Sequence, residues 1–205
     1  MSEPSAIHTT RRFSRAALAS LLLVNLIPLA GVVAFEWNLH TLIRVYWVEN
    51  VVVGVATLAK IGLAKQVGPV GKTKLYKVLL FTAFYGTFWV IHGAILSRVV
   101  FATPPDGPFS IDILFVGAVM AFAISHGLAI KFAHWDAREH EKVTAFTQML
   151  LPFVRVGPTH AVLILAALLV LRLDASLLLL VGVVVLKIAL DLAFHLREHA
   201  RIANR

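Results

Sequence analysis

Residues 175–196 read ASLLLLVGVVVLKIALDLAFHL. The stretch is long and apolar enough for a helix to cross about 30 Å of hydrocarbon, which takes roughly 20 residues. Yet Lys187 stands near its centre, Asp191 follows one turn later and His195 one turn after that. At spacing i, i+4, i+8 the three side chains project from one face of the helix. A central Lys or Asp costs at least about 2.5–3.5 kcal/mol on insertion scales, so such residues face protein or water and mark a site by default. The stretch therefore reads as a membrane span with a polar stripe turned inward.

The whole chain supports a membrane reading. Of its 205 residues, 59% are hydrophobic and only 15% charged, against roughly 45–50% and about 25% in soluble domains. Mean hydropathy is +0.84. A water-soluble globule is excluded, as is a disordered chain, which needs low hydrophobicity and high charge. With no cysteine, disulfides, thiolate metal sites and cysteine nucleophiles are excluded together.

Six runs meet the length criterion: residues 16–35, 41–59, 78–102, 109–132, 143–171 and 175–196. The expected fold is all-α, a single polytopic bundle over residues 1–205 with an even number of spans. Between the runs lie Glu36-Trp37-Asn38, the basic loop from Gly62 to Lys77, the proline-rich segment Thr103 to Pro108, the charged segment Lys131 to Lys142, and Arg172-Leu173-Asp174. Three prolines in residues 103–108 remove backbone donors and exclude helix there. The first run exceeds a signal-peptide core of about 7–15 residues, and five runs follow it. It is expected to be a retained anchor.

Orientation follows from lysine and arginine in short loops. Fourteen of the 19 basic residues fall before the first run, around the second and fourth loops, and after the last run. Both termini are therefore expected in the cytoplasm, with the protein multi-pass in the cytoplasmic (inner) membrane. The net charge of +8 is accounted for by this asymmetry and by attraction to anionic lipid. The lipid bilayer is the expected partner, and nucleic acid is not.

Polar residues at membrane depth nominate the site. The second run carries Tyr46, Glu49 and Asn50, and the third Tyr85, Trp89 and His92 on one stripe. The fourth holds Ser125 and His126. The fifth has Arg155, Thr159 and His160 around Gly157-Pro158, where proline frees a carbonyl and kinks the span. Runs two to six are thus expected to converge on a polar cavity. Each residue also has a structural reading. Lys187 and Asp191 neutralise each other at i, i+4. Arg155 and His195 lie within reach of the interface by snorkelling, and Trp37, Tyr46, Trp47 and Trp135 fit an aromatic belt. The number of ionisable groups in so small a bundle favours a functional cavity.

Several motifs together resemble a family. Tyr46-Trp47-Val48-Glu49-Asn50, Tyr85-Gly86 followed by His92-Gly93, Pro152-Phe153-Val154-Arg155-Val156 with His160, and Lys187-x-x-x-Asp191-x-x-x-His195 are similar to those of a "domain of unknown function" family of prokaryotic multi-pass membrane proteins. The resemblance covers roughly Leu39 to His199. Phe84 stands where that pattern has a histidine. The resemblance implies a multi-pass fold and no particular activity.

Three functions compete. In the first, His126, Asp191 and His195, with His92 or His160, hold a divalent metal (zinc or iron) in an intramembrane hydrolase-like enzyme; these are suitable ligand types, and open catalytic sites use three protein ligands. His126, Asp191 and His195 are then expected to meet at one point, with the fourth and sixth spans as neighbours. Glu49 would be the general base, Lys187 a second catalytic group, and Arg155 the group that binds an oxyanion or lipid headgroup. The second is a proton-coupled or ion transporter, for which buried Lys, Glu, Asp and His at stepped depths suit a relay. No inverted repeat is visible, so a homo-oligomer would supply the missing half. The third is haem binding between facing histidines, with His92 and His160 the pair at matching depth.

Overall fold

The computed structural model describes residues 4–64, 72–99, 113–132, 139–173 and 177–203. They form α1 (Pro4–Ala34), α2 (Leu39–Leu63), α3 (Lys72–Val99), α4 (Ile113–Ala129), the one-turn α5 (Glu139–Lys142), α6 (Ala145–Leu173) and α7 (Leu177–Ala203), with no strand among the described residues. The fold is all-α. Five helices are long and apolar enough to cross a membrane, and α1 adds a shorter apolar run, Leu18–Ala34. The fifth and sixth spans of the sequence correspond to α6 and α7; the four-residue α5 is an addition within the loop before α6. The segments Thr103 to Pro108 and Arg172-Leu173-Asp174 lie wholly or partly outside the described residues, as does Trp135.

Five helices close a ring: α1 packs on α7, α7 on α6, α6 on α2, α2 on α4, and α4 back on α1. The sixth, α3, lies outside the ring against α2 and α6. This placement explains its surface. Phe84, Val90 and Leu79 of α3 are more than half exposed, which is the arrangement of a helix whose outer side meets hydrocarbon. Phe84 in particular points away from every helix at 65% exposure, so the position where the resemblance has histidine carries no ligand into the bundle.

Two glycines allow α3 to sit close. A Cβ on Gly54 of α2 would come within 2.8 Å of Tyr85 Cε1, and one on Gly93 of α3 within 2.7 Å of Trp47 Cζ2. Small residues at a helix interface let backbones approach in this way. Trp47 and Trp89 stack with centroids 4.1 Å apart, and each indole N–H donates to the other residue's carbonyl, at 3.4 Å from Trp47 and 3.1 Å from Trp89. Trp37 is buried as well, at 5% exposure, lying against Gly31 at a turn where Glu36 takes a φ of 53°. Tyr46 is 1% exposed. The aromatic-belt reading is therefore corrected for Trp37, Tyr46 and Trp47: rings large enough to bury 150–250 Å² are taken up by packing between helices.

The core has two parts. One, around Leu42, Ile43, Val45, Phe122, Leu163 and Val184, fills the ring at the end bearing the α1–α2 turn. The other, around Phe81, Tyr85, Met149 and Val156, joins α3 to α2 and α6. Between them lies the polar centre.

Candidate functional site

Side chains from α1, α2, α4 and α7 itself surround the Lys187 ammonium, and α6 joins the group through Asp191. Nζ donates to Asn25 Oδ1 of α1 at 2.7 Å and to Glu49 Oε1 of α2 at 2.9 Å. It also pairs with Glu49 Oε2 at 2.8 Å and with Asp191 Oδ2 at 2.7 Å. The contact to Asp191 Oδ2 is close but poorly aligned, so that oxygen has an ion pair without a hydrogen bond. The rings of Tyr46 and of Phe122, from α4, lie 4.8 and 5.3 Å from Nζ, within range of a cation–π interaction. Arg155 of α6 completes the set by donating from Nε to Asp191 Oδ1 at 3.0 Å.

Charge and solvation explain why the group holds together. Lys187 and Asp191 are each 2% exposed and Glu49 4%. Two cations and two carboxylates balance, and a lysine has three N–H donors to place. A buried ion is tolerable only when paired and hydrogen-bonded. The i, i+4 pair anticipated in the sixth span is present, yet it is only one edge of a four-charge network. Glu49 pairs directly with Lys187, whereas Asp191 is shared between Lys187 and Arg155.

A cavity of about 10 Å³ lies against this network, bounded by Tyr46, Glu49, Asn50, Arg155, Lys187 and Asp191 among others. It has room for about one water molecule. On the far side of Arg155 is a larger cleft of about 110 Å³, with Thr57, Lys60, His126, Gln148 and Arg197 in its walls. Arg155 lines both spaces. At 1.5 Å per residue, Lys60 and Arg197 stand about 15 Å along their helices from Glu49 and Lys187, so the cleft joins the basic end of the bundle to its middle. Pro152 lines this cleft, and Pro158 lies further along α6; lacking N–H groups, the two prolines leave the Gln148 and Val154 carbonyls without their helical donors.

The histidines divide. His92 and His160 touch edge to face, with centroids 3.8 Å apart, on the outer side where α3 meets α6. His160 Nδ1 is 2.7 Å from the Val156 carbonyl and must donate to it. Its Nε2 then accepts from Asn50 Nδ2 at 3.2 Å, so both ring nitrogens are engaged. Rings in contact leave no space for a porphyrin plate between them. His126 lies in the cleft. His195 is on α7, and its side chain lies outside the described residues. Among the described residues no three His, Asp or Glu side chains gather so as to hold a metal ion; both Asp191 oxygens already face cations.

Two expectations about placement need correction. The fourth and sixth spans, α4 and α7, are not ring neighbours: α1 and α2 flank α4, and α1 and α6 flank α7. Nor do all of runs two to six reach the polar centre. The third run, α3, packs outside the ring: the Tyr85 hydroxyl donates to the Asn50 carbonyl at 2.9 Å, the Trp89 indole to the Trp47 carbonyl, and His92 packs against His160 of α6. The first run takes its place through Asn25. Sequence reasoning passed over Asn25, Gln148 and the cleft role of Lys60. The signal for Asn25 is present, as one of few polar interruptions in an apolar run; Lys60 falls among the basic residues around the second loop, which read as orientation charges.

The matched region of a family model covers residues 8–205. The chain belongs to a family of unknown function, DUF6498. No curated protein and no solved structure matches it. Membership agrees with the resemblance seen in the sequence and assigns no chemistry, so function is argued from the site alone.

Proposed function

We propose that this DUF6498 protein is a proton-coupled carrier whose Glu49, Lys187, Asp191 and Arg155 form the coupling element. One observation supports this above all: Arg155, bonded to Asp191, is the shared wall between a cleft open at the basic end and the closed polar centre. A carboxylate held by two cations changes partners when it gains or loses a proton, since protonation removes its Coulomb attraction for both. Release of Arg155 from Asp191 would couple proton occupancy to the floor of the cleft. Ionisable residues within spans serve proton relays in this manner.

The divalent-metal enzyme draws no support from the arrangement of described residues. Asp191 and Glu49 are committed to cations, and His92 and His160 sit apart with His160 doubly bonded. The carrier reading therefore stands ahead of it. Elemental analysis of the detergent-purified protein checks the choice, and stoichiometric zinc or iron would return Asp191 and His126 to a ligand role.

Transport is tested in proteoliposomes containing a pH-sensitive dye. The outside buffer holds phosphate, sulfate and small carboxylates, and an inside-negative potassium diffusion potential drives protons inward. Protein-dependent acidification is expected from the wild type and its loss from Glu49→Gln and Asp191→Asn. Equal flux from all three proteins, or none above protein-free vesicles, would sink the proposal.

A further inference from the structure

The cleft at the basic end has the chemistry of an anion site. Lys60, Arg155 and Arg197 bring three positive charges to its walls, and among the described residues no carboxylate lines it. Arg155 is balanced by Asp191. Lys60 and Arg197 have no acidic partner among the described residues, so the described walls carry an excess of two positive charges. Low-dielectric walls around charges of one sign focus the field and concentrate counter-ions.

A second, independent feature points to a ligand. The Gln148 side chain is 3% exposed and lines the cleft, yet it makes no hydrogen bond with any described residue. Buried polar side chains are hydrogen-bonded in the large majority of cases. An amide carries two N–H donors beside its carbonyl acceptor, and it shares the cleft walls with three cations. The His126 imidazole, in the same walls, likewise has no partner among the described residues. Donors without acceptors, gathered beside unbalanced cations, are complementary to an oxyanion.

Size narrows the class. A cavity of about 150 Å³ accommodates benzene, and drug-sized ligands need about 300–1,000 Å³. At about 110 Å³ the cleft suits one phosphate or carboxylate group. We infer that it binds a small oxyanion group through Lys60, Arg197 and the Gln148 amide, with Arg155 at its floor. This deepens the carrier reading by naming the class of substrate and rests on that reading only for the ligand's being transported. The same headgroup chemistry is offered by free inorganic phosphate and by an anionic phospholipid entering from the bilayer.

Equilibrium binding separates these sources without any gradient. Full-length protein in neutral detergent is titrated with inorganic phosphate by calorimetry. In parallel, nanodiscs of phosphatidylcholine with or without phosphatidic acid are assembled, and the lipid retained by the extracted protein is weighed by native mass spectrometry. Saturable phosphate binding, weakened tenfold or more in Lys60→Gln/Arg197→Gln and again in Gln148→Leu, establishes a free-anion site. Retained phosphatidic acid that these variants lose, without phosphate binding, establishes a headgroup site. Gln148→Leu removes donors without altering net charge, so its loss of binding distinguishes a built site from diffuse attraction. Wild-type protein that binds neither probe, or variants that bind as well as wild type, would overturn the inference. Proton flux through Glu49 and Asp191 is measured separately, so either proposal can fail while the other stands.

Discussion

Replacing Lys187 by methionine tests the four-charge centre most directly. The wild-type set balances at two positive and two negative charges. Lys187→Met leaves one positive and two negative, and the surplus resides on Glu49, because Asp191 keeps its 3.0 Å bond to Arg155. Removing one partner of a buried pair costs about 3–5 kcal/mol, chiefly from the stranded charge. Methionine preserves most of the volume, so packing loss is secondary. The companion change is therefore Glu49→Gln, which restores one positive and one negative charge in Lys187→Met/Glu49→Gln. The double variant should be more stable than Lys187→Met alone, with a coupling energy of about 0.5–3 kcal/mol. Lys187→Met/Asp191→Asn should also be milder than the sum of its singles, yet it leaves Glu49 without its direct lysine partner and should recover less. The assay is reversible unfolding in mixed micelles with increasing sodium dodecyl sulfate, followed by tryptophan fluorescence. Strict additivity of Lys187→Met and Glu49→Gln would refute the network.

Gly93→Ala places a methyl within 2.7 Å of Trp47; overpacking of this kind costs about 1–3 kcal/mol, and the same unfolding assay should show it together with altered near-ultraviolet dichroism from the Trp47–Trp89 stack. Trp89→Phe keeps an aromatic ring but removes the N–H that donates to the Trp47 carbonyl, so a loss of about 0.5–1.5 kcal/mol is expected, and no change in the midpoint would contradict that bond. The cysteine-free chain also suits topology mapping. Single cysteines at Gly71 and Asn204 should react with impermeant thiol reagents only from the cytoplasm, and one at Asp106 only from outside; the reverse pattern would invert the orientation inferred from basic loops.

Much of this protein was legible before any coordinates. Apolar runs of membrane-spanning length and a proline-rich break settle an all-α bundle, because backbone groups in hydrocarbon must bond within their own helix. Lys187 and Asp191 identified the inward face of the last helix through periodicity alone, and their pairing follows from spacing along one helix. Such information is local and one-dimensional. Which helices are neighbours is not local, and only the tertiary structure decided it. Apolar spans of similar length pack in many orders with similar burial, since lipid gives little preference among them and close packing of particular side chains selects the partner. Gly54 and Gly93 bring α3 against α2 and outside the ring, which removes His92 from the polar centre and sets it against His160. The vacated place falls to Asn25 of α1, 162 residues from Lys187 in sequence. The same packing gives Glu49 its lysine, gives Asp191 its arginine, and sets Gln148 in one cleft with Lys60 and Arg197.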